Sequence, residues 1–171
     1  MYRSKTSNGQ TFAFGGAYQV NEQLLVVADY KNIGWKDAMK NFSMTFTADS
    51  VQANPMATGF GLAGQGVDMV LFQNWEDQNV FQIGGAYKTS DELTLRAGLN
   101  LANNPVPDKY MNPLFPAIAT NHVTLGAGYA LSEVSNLDFS YVYVPQVTGG
   151  AGGVETDFGG YSAQFLYSYR M

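Results

Sequence analysis

The sequence predicts an all-β fold: an antiparallel transmembrane β-barrel wall. Three observations carry that expectation. Apolar side chains recur every second residue through nine separate segments. Short polar turns alternate with long connections. Only 13% of the 171 residues are charged, about half of the roughly 25% usual in water-soluble domains.

The segments follow in order. Phe12, Phe14, Gly16, Tyr18 and Val20 share the first apolar face, and Leu24, Val26, Ala28 and Tyr30 the second. Phe42, Met44 and Phe46 make a third strand, and a weaker fourth lies near Val67–Gln73. Phe81, Ile83, Gly85 and Tyr87 form the fifth. From Leu93 to Leu101 the odd positions are Leu93, Leu95, Ala97, Leu99 and Leu101, against Thr94, Arg96, Gly98 and Asn100. A helix would bring Arg96 and Leu99 to neighbouring faces, whereas a strand separates the two sets. Val123, Leu125, Ala127, Tyr129 and Leu131 oppose His122, Thr124, Gly126, Gly128 and Ala130 in the seventh. Leu137, Phe139, Tyr141 and Tyr143 define the eighth, and Tyr161, Ala163, Phe165, Tyr167, Tyr169 and Met171 the ninth.

Asn21–Gln23, Thr89–Glu92 and Ser132–Ser135 read as tight turns. Asn103–Thr120, rich in Pro and Asn, and Gln146–Gly160, rich in Gly, read as long loops. Strands of about ten residues match the 9–11 that cross a bilayer at a tilt. The face opposite the apolar one holds mainly Gly, Ala, Ser, Thr and Gln, with Asp29, Lys31, Lys88, Arg96, Asp138 and Arg170. That is sparse for a solvated sheet face and fits a crowded lumen. A soluble sandwich or lipocalin-like barrel binding an apolar ligand is the alternative on pattern alone. Nine strands is an odd number, and an open edge cannot stand in hydrocarbon. Closure therefore requires a larger barrel, several copies, or a strand number that differs from nine by one.

Composition excludes other classes. The 24 aromatic residues exclude a disordered chain, and 9 Lys+Arg against 14 Asp+Glu give no basic stripe for nucleic acid. Without cysteine there is no disulfide frame, thiolate metal site or cysteine nucleophile. No apolar run reaches the roughly 20 residues of a helical span, and Met1–Gln10 carries no apolar secretory core.

Several local motifs resemble one family in their order and spacing. These are Asn103-Asn104-Pro105-Val106-Pro107-Asp108, Asn112-Pro113-Leu114-Phe115-Pro116-Ala117-Ile118, and Asn74-Trp75-Glu76-Asp77 before Ile83-Gly84-Gly85-Ala86-Tyr87. Leu95-Arg96-Ala97-Gly98, His122–Tyr129, Tyr2-Arg3-Ser4-Lys5, Asp29-Tyr30 and Trp35–Met39 complete the set. Together they resemble the C-terminal portion of the FadL-type outer-membrane transporters of long-chain fatty acids, including the branch associated with aromatic hydrocarbon degradation. The resemblance implies a barrel of about fourteen strands around an N-terminal plug. Residues 1–171 would supply the C-terminal nine strands as a single barrel segment, with plug and signal peptide absent. The final Met171 departs from the aromatic terminus that barrel assembly machinery reads in such proteins.

The implied function is passive uptake of long-chain fatty acids or other hydrophobic compounds across a bacterial outer membrane, with no catalysis and no cofactor. Outer-membrane lipid, a fatty acid or hydrocarbon ligand and the assembly machinery would be the partners. A structural or adhesive barrel that moves no ligand is the competing reading. Arg96 and Lys31 face the expected lumen, where a cation steers a carboxylate or pairs with Asp29 or Asp138 across strands. In the Asn103–Thr120 loop, Tyr110, Met111, Leu114, Phe115, Pro116 and Ile118 offer an apolar surface for ligand capture or for packing on neighbouring loops. Met39, Met44, Met56 and Met69 can line a greasy path or fill packing gaps.

Other motifs read as chance. Gly59-Phe60-Gly61-Leu62-Ala63-Gly64 matches a dinucleotide fingerprint, but lacks its strand and helix context. His122, the single histidine, has no spaced partner for metal or acyl-transfer chemistry, and Asn41-Phe42-Ser43 is a sequon by composition alone.

Overall fold

The computed structural model describes residues 9–47, 61, 65–112 and 118–170. Its nine strands are β1 (Thr11–Gln19), β2 (Leu24–Ile33), β3 (Asn41–Thr47), β4 (Gly66–Phe72), β5 (Gln78–Lys88), β6 (Leu93–Ala102), β7 (His122–Ser132), β8 (Ser135–Ala151) and β9 (Val154–Tyr169). A one-turn helix, α1 (Trp35–Ala38), and a single 3-10 turn at Asp108–Tyr110 are the described helical pieces.

Seven strands form one antiparallel sheet in the order β1-β2-β5-β6-β7-β8-β9. This refines the sequence expectation, in which all nine segments stood in the wall. The hairpin β3-β4 makes its own two-stranded sheet between β2 and β5, which pair directly. Alternation assigns faces to a strand but not neighbours, so a hairpin outside the wall carries the same signature as one within it.

The turns at one end are short and chemically explicit. Asn21 Oδ1 accepts from the backbone N–H of Gln23 at 2.9 Å and of Leu24 at 2.8 Å, an Asx-turn. Ser90 Oγ does the same for Glu92 and Leu93 at 3.2 and 3.1 Å. The β7-β8 turn takes Glu133 and Val134 alone. Beside these turns lies the end of β9, where Arg170 N–H donates to Val134 O at 2.8 Å.

The opposite end gathers the long connections, and one expectation fails there. Gln146–Gly160, read as a glycine-rich loop, is the upper part of a hairpin in which β8 and β9 continue as 17- and 16-residue strands. The strands shift register between Val144 and Val147, at Pro145, so a bulge absorbs the residue that cannot donate to the ladder. They then turn through Gly152 (φ 63°) and Gly153 (φ 83°). Two consecutive positive φ values are what a tight hairpin of the proper twist requires, and glycine meets them without strain. The glycines therefore make the turn rather than a loop.

Register aligns one apolar face across the whole sheet. Phe14, Tyr30, Phe81 and Leu101 occupy one row, and Leu93, Tyr129, Leu137 and Tyr167 another. Neighbouring rings touch, with centroids 5.3 Å apart for Phe14–Tyr30, 4.9 Å for Tyr30–Phe81 and 4.8 Å for Phe139–Phe165. None of the described residues covers this face: Phe81 is 57%, Leu125 53% and Phe165 72% exposed. The opposite face is mostly polar or small, with Leu25, Val27, Val80, Val142, Val144 and Leu166 interspersed, and on β7 it is the more sheltered of the two. The hydrophobic core is confined to the loop end, where Val106, Met111 and Ile118 are buried against Trp75 and Val147.

Candidate functional site

The inner, polar face of the wall is built in rows by the strand register. Nearest the loop end, Lys31 pairs in register with Ala13 and Val80. The next row runs Gly15, Asp29, Gln82, Asn100 and His122 across five strands. Gln82 Nε2 donates to Asn100 Oδ1 at 2.9 Å, and Asn100 Nδ2 donates to Thr120 O at 2.7 Å and lies 3.4 Å from His122 Nδ1. His122 thus sits where the Asn103–Asn121 connection enters β7, as a member of a polar rung.

Below this rung the wall is lowest at Gly84 and Gly98, in a row that runs Val27, Gly84, Gly98, Thr124, Val142 and Ser162. A methyl group on Gly98 would lie 2.8 Å from Thr124 Oγ1, and one on Gly84 3.1 Å from Ala97 O. This stretch presents backbone and small side chains to the lumen.

The third feature is an ion pair. Arg96 on β6 stands in register with Gly126 on β7, and Asp138 on β8 with Gly128. The guanidinium crosses β7 and meets Asp138 Oδ1 at 3.2 Å. A Cβ on Gly128 would lie 2.8 Å from both Arg96 Nη1 and Asp138 Oδ1, so the bridge runs directly over that glycine. Both partners remain partly open to the lumen, with side chains 50% and 38% exposed. Lys31 makes no ion pair among the described residues and shares its face with Asp29, two positions away. Towards the turn end Lys88 binds Asp91 at 2.9 Å; that hydrogen bond, reinforced by the ammonium charge, holds the Asp91 carboxyl below its ordinary range.

The residues expected to form an apolar capture surface are placed differently from one another. Met111 and Ile118 are 5% and 3% exposed, and with Val106 they form the buried cluster at the rim. Tyr110 is half-buried at the end of the 3-10 turn, its ring 5.3 Å from the Lys109 ammonium. Leu114, Phe115 and Pro116 lie outside the described residues, as do Met56 and most of the Gly59–Gly64 motif.

Sequence reasoning missed the partners that complete the rim. Trp75 stacks edge-on against Trp35 at 5.5 Å, and Trp35 Nε1 donates to Gln78 Oε1 at 3.2 Å. Glu76 N–H donates to Pro105 O at 2.8 Å, and Asn103 Oδ1 accepts from Asn79 N–H at 2.6 Å. These bonds tie the segments flanking β3-β4 to the Asn103–Asn121 connection, while Val147 of the β8-β9 hairpin closes the cluster. The two tryptophans were the available signal, being rare, large and both adjacent to strand ends.

On the outer face, Gly16 and Ala28 leave a recess of about 750 Å³ beside Phe14, Tyr30, Phe81 and Ile83. Its lining is almost wholly apolar and belongs to the surface that faces lipid rather than to the lumenal rows.

Comparisons with known proteins converge on one family. The toluene transporter TbuX of Ralstonia pickettii superimposes with a TM-score of 0.65 at 24% identity, over 94% of this chain and 33% of its own. The Pseudomonas putida toluene transporter TodX gives a TM-score of 0.69 at 26% identity, over 94% of this chain and 34% of its own. A Pseudomonas aeruginosa FadL homologue shares the fold at 17% identity and a TM-score of 0.53, over 92% and 33%. The chain therefore spans about a third of the length of these structures. No curated protein matches the sequence. The family model described as outer membrane protein transport protein (OMPP1/FadL/TodX) matches residues 9–161, and the chain belongs to that family of outer-membrane β-barrel transport proteins.

Proposed function

We propose that these residues form part of the wall of a larger closed barrel that admits hydrophobic compounds passively across the bacterial outer membrane, fatty acids and aromatic hydrocarbons being the candidate cargoes. The observation that carries this reading is the two-faced sheet. Its outer face is apolar and not covered by any described residue, and its inner face combines a polar rung, a low stretch at Gly84 and Gly98 and an internally neutralised ion pair. Such a lumen offers no strong electrostatic trap, and the backbone-lined stretch leaves room for a bulky apolar molecule to pass. Leu25, Val27, Val142 and Leu166 add apolar surface to the inner face, and each CH₂ of cargo buried against such surface contributes roughly 0.8 kcal/mol without any reaction.

At the loop end, Tyr110 would make first contact with ligand, beside the buried cluster that Met111 and Ile118 form. Lys31 and Arg96 are the cations that a carboxylate cargo would meet in turn along the inner face. The toluene transporters among the similar structures favour an aromatic hydrocarbon as cargo, and the sequence resemblance to FadL-type transporters favours a fatty acid.

The test is flux in vesicles. The closed barrel that contains this wall, reconstituted into liposomes, is expected to accelerate entry of a neutral aromatic probe several-fold over protein-free liposomes, linearly with gradient and without any energy source. Equal rates with and without protein would leave a structural or adhesive wall as the reading.

A further inference from the structure

We propose that Asp138 is a specificity-determining residue, which keeps the Arg96 guanidinium occupied and so sets the passage to prefer uncharged cargo over carboxylates. The inference rests on the transport reading above and assigns the residue that tunes it.

The geometry supplies the argument. Arg96 stands in the row immediately below the glycine stretch, on the face that lines the lumen. Left alone, its guanidinium would present a planar fork of donors matched to a carboxylate. Asp138 fills that role from within the wall at 3.2 Å. The pair is not between adjacent strands. It spans β7, and the crossing is possible because positions 126 and 128 are both glycine, with a Cβ at 128 colliding with both partners. The two charges are also half-exposed to the lumen, so they are within reach of cargo and not sealed in a core. A carboxylate arriving there meets a cation already matched and an aspartate that repels it. A neutral ring or chain meets neither penalty.

The other charges on this face do not duplicate the arrangement. Lys31 lies towards the loop end with Asp29 on the same strand and face, Lys88 is held by Asp91, and Arg170 lies past the end of β9.

The test compares Asp138→Asn with wild type, using benzoate or a fluorescent long-chain fatty acid against toluene or a neutral fluorescent aromatic. In liposomes, the ratio of carboxylate to neutral flux is expected to rise about fivefold in Asp138→Asn, the size of an exposed charge interaction. The gain is expected to fall as salt is raised. The double variant Arg96→Gln/Asp138→Asn is expected to return to the wild-type ratio, and Asp138→Glu to stay near it. A ratio unchanged in Asp138→Asn, or a gain that persists in the double variant, overturns the proposal. Equilibrium binding of the fatty acid to the detergent-folded protein separates the two readings. If binding tightens in Asp138→Asn while neither form carries flux, transport fails and the charge assignment stands; if neither binding nor flux changes, the assignment itself fails.

Discussion

Gly128 shows how much a single position without a side chain can decide. The strands β6 and β8 are not neighbours, and the arginine of one reaches the aspartate of the other only because β7 contributes no Cβ between them. Gly128→Ala is expected to push the guanidinium and carboxylate apart, since the new methyl group would sit 2.8 Å from each. Because both charges are partly solvated, the loss of folding stability should stay under about 1 kcal/mol. Urea unfolding in lipid vesicles measures it, and a cost of several kcal/mol would mean that the pair is a structural clamp. At this scale the sequence was only half legible. Arg96, Lys31, Asp29 and Asp138 could be placed on the lumenal face from their parity within each strand. Parity says nothing of which strands adjoin, so it could not tell that Arg96 meets Asp138 while Lys31 has no ion pair among the described residues. A glycine gives no signal of the bridge that passes over it.

Among the elements, strands were legible and their society was not. The two-residue period located β5, β6 and β7 within a few residues, because each has one face in an apolar medium and the other in a polar one. It failed for upper β8 and β9, where residues beyond Pro145 leave that environment and alternation stops, although the ladder continues to Ala151. The rim was hidden for a related reason. Its core joins Val106, Met111, Ile118, Trp75 and Val147 from two connections and strand β8, far apart in sequence, and no local pattern announces such a meeting. That cluster is small, so removing bulk from it is expected to act locally. Ile118→Ala deletes a side chain that is 3% exposed and should cost about 2 kcal/mol, the low end for buried aliphatics, since so thin a layer can relax. The expected signature is faster proteolysis and amide exchange within Asn103–Asn121, with the β5-β6-β7 amides unchanged. Exchange that rose equally throughout would mean that the rim and the wall unfold as one unit.

The whole molecule is defined by what it leaves uncovered. A seven-stranded sheet is below the eight strands of the smallest single-chain barrels, and β1 and β9 run in the same direction at its two edges. Backbone groups at those edges need partners in hydrocarbon, where each unsatisfied one costs several kcal/mol. Further strands or further copies of the chain would meet that need, and the similar structures are about three times as long. The same setting inverts the usual rule for surface substitutions. Leu125 is 53% exposed near the middle of the apolar face, and in a water-soluble protein its replacement by arginine would change stability by no more than about 0.5 kcal/mol. Against lipid the cost at mid-depth should be about 2–4 kcal/mol. Thr124→Arg, one residue away but on the lumenal face, places the same charge in a polar setting and should cost far less. Reversible urea unfolding of the three proteins in vesicles therefore reads out orientation directly. A large penalty at 125 with a small one at 124 places the apolar face against lipid; equal penalties would mean that this face is not the membrane surface, and the lumenal assignment of Arg96 and Asp138 would fall with it.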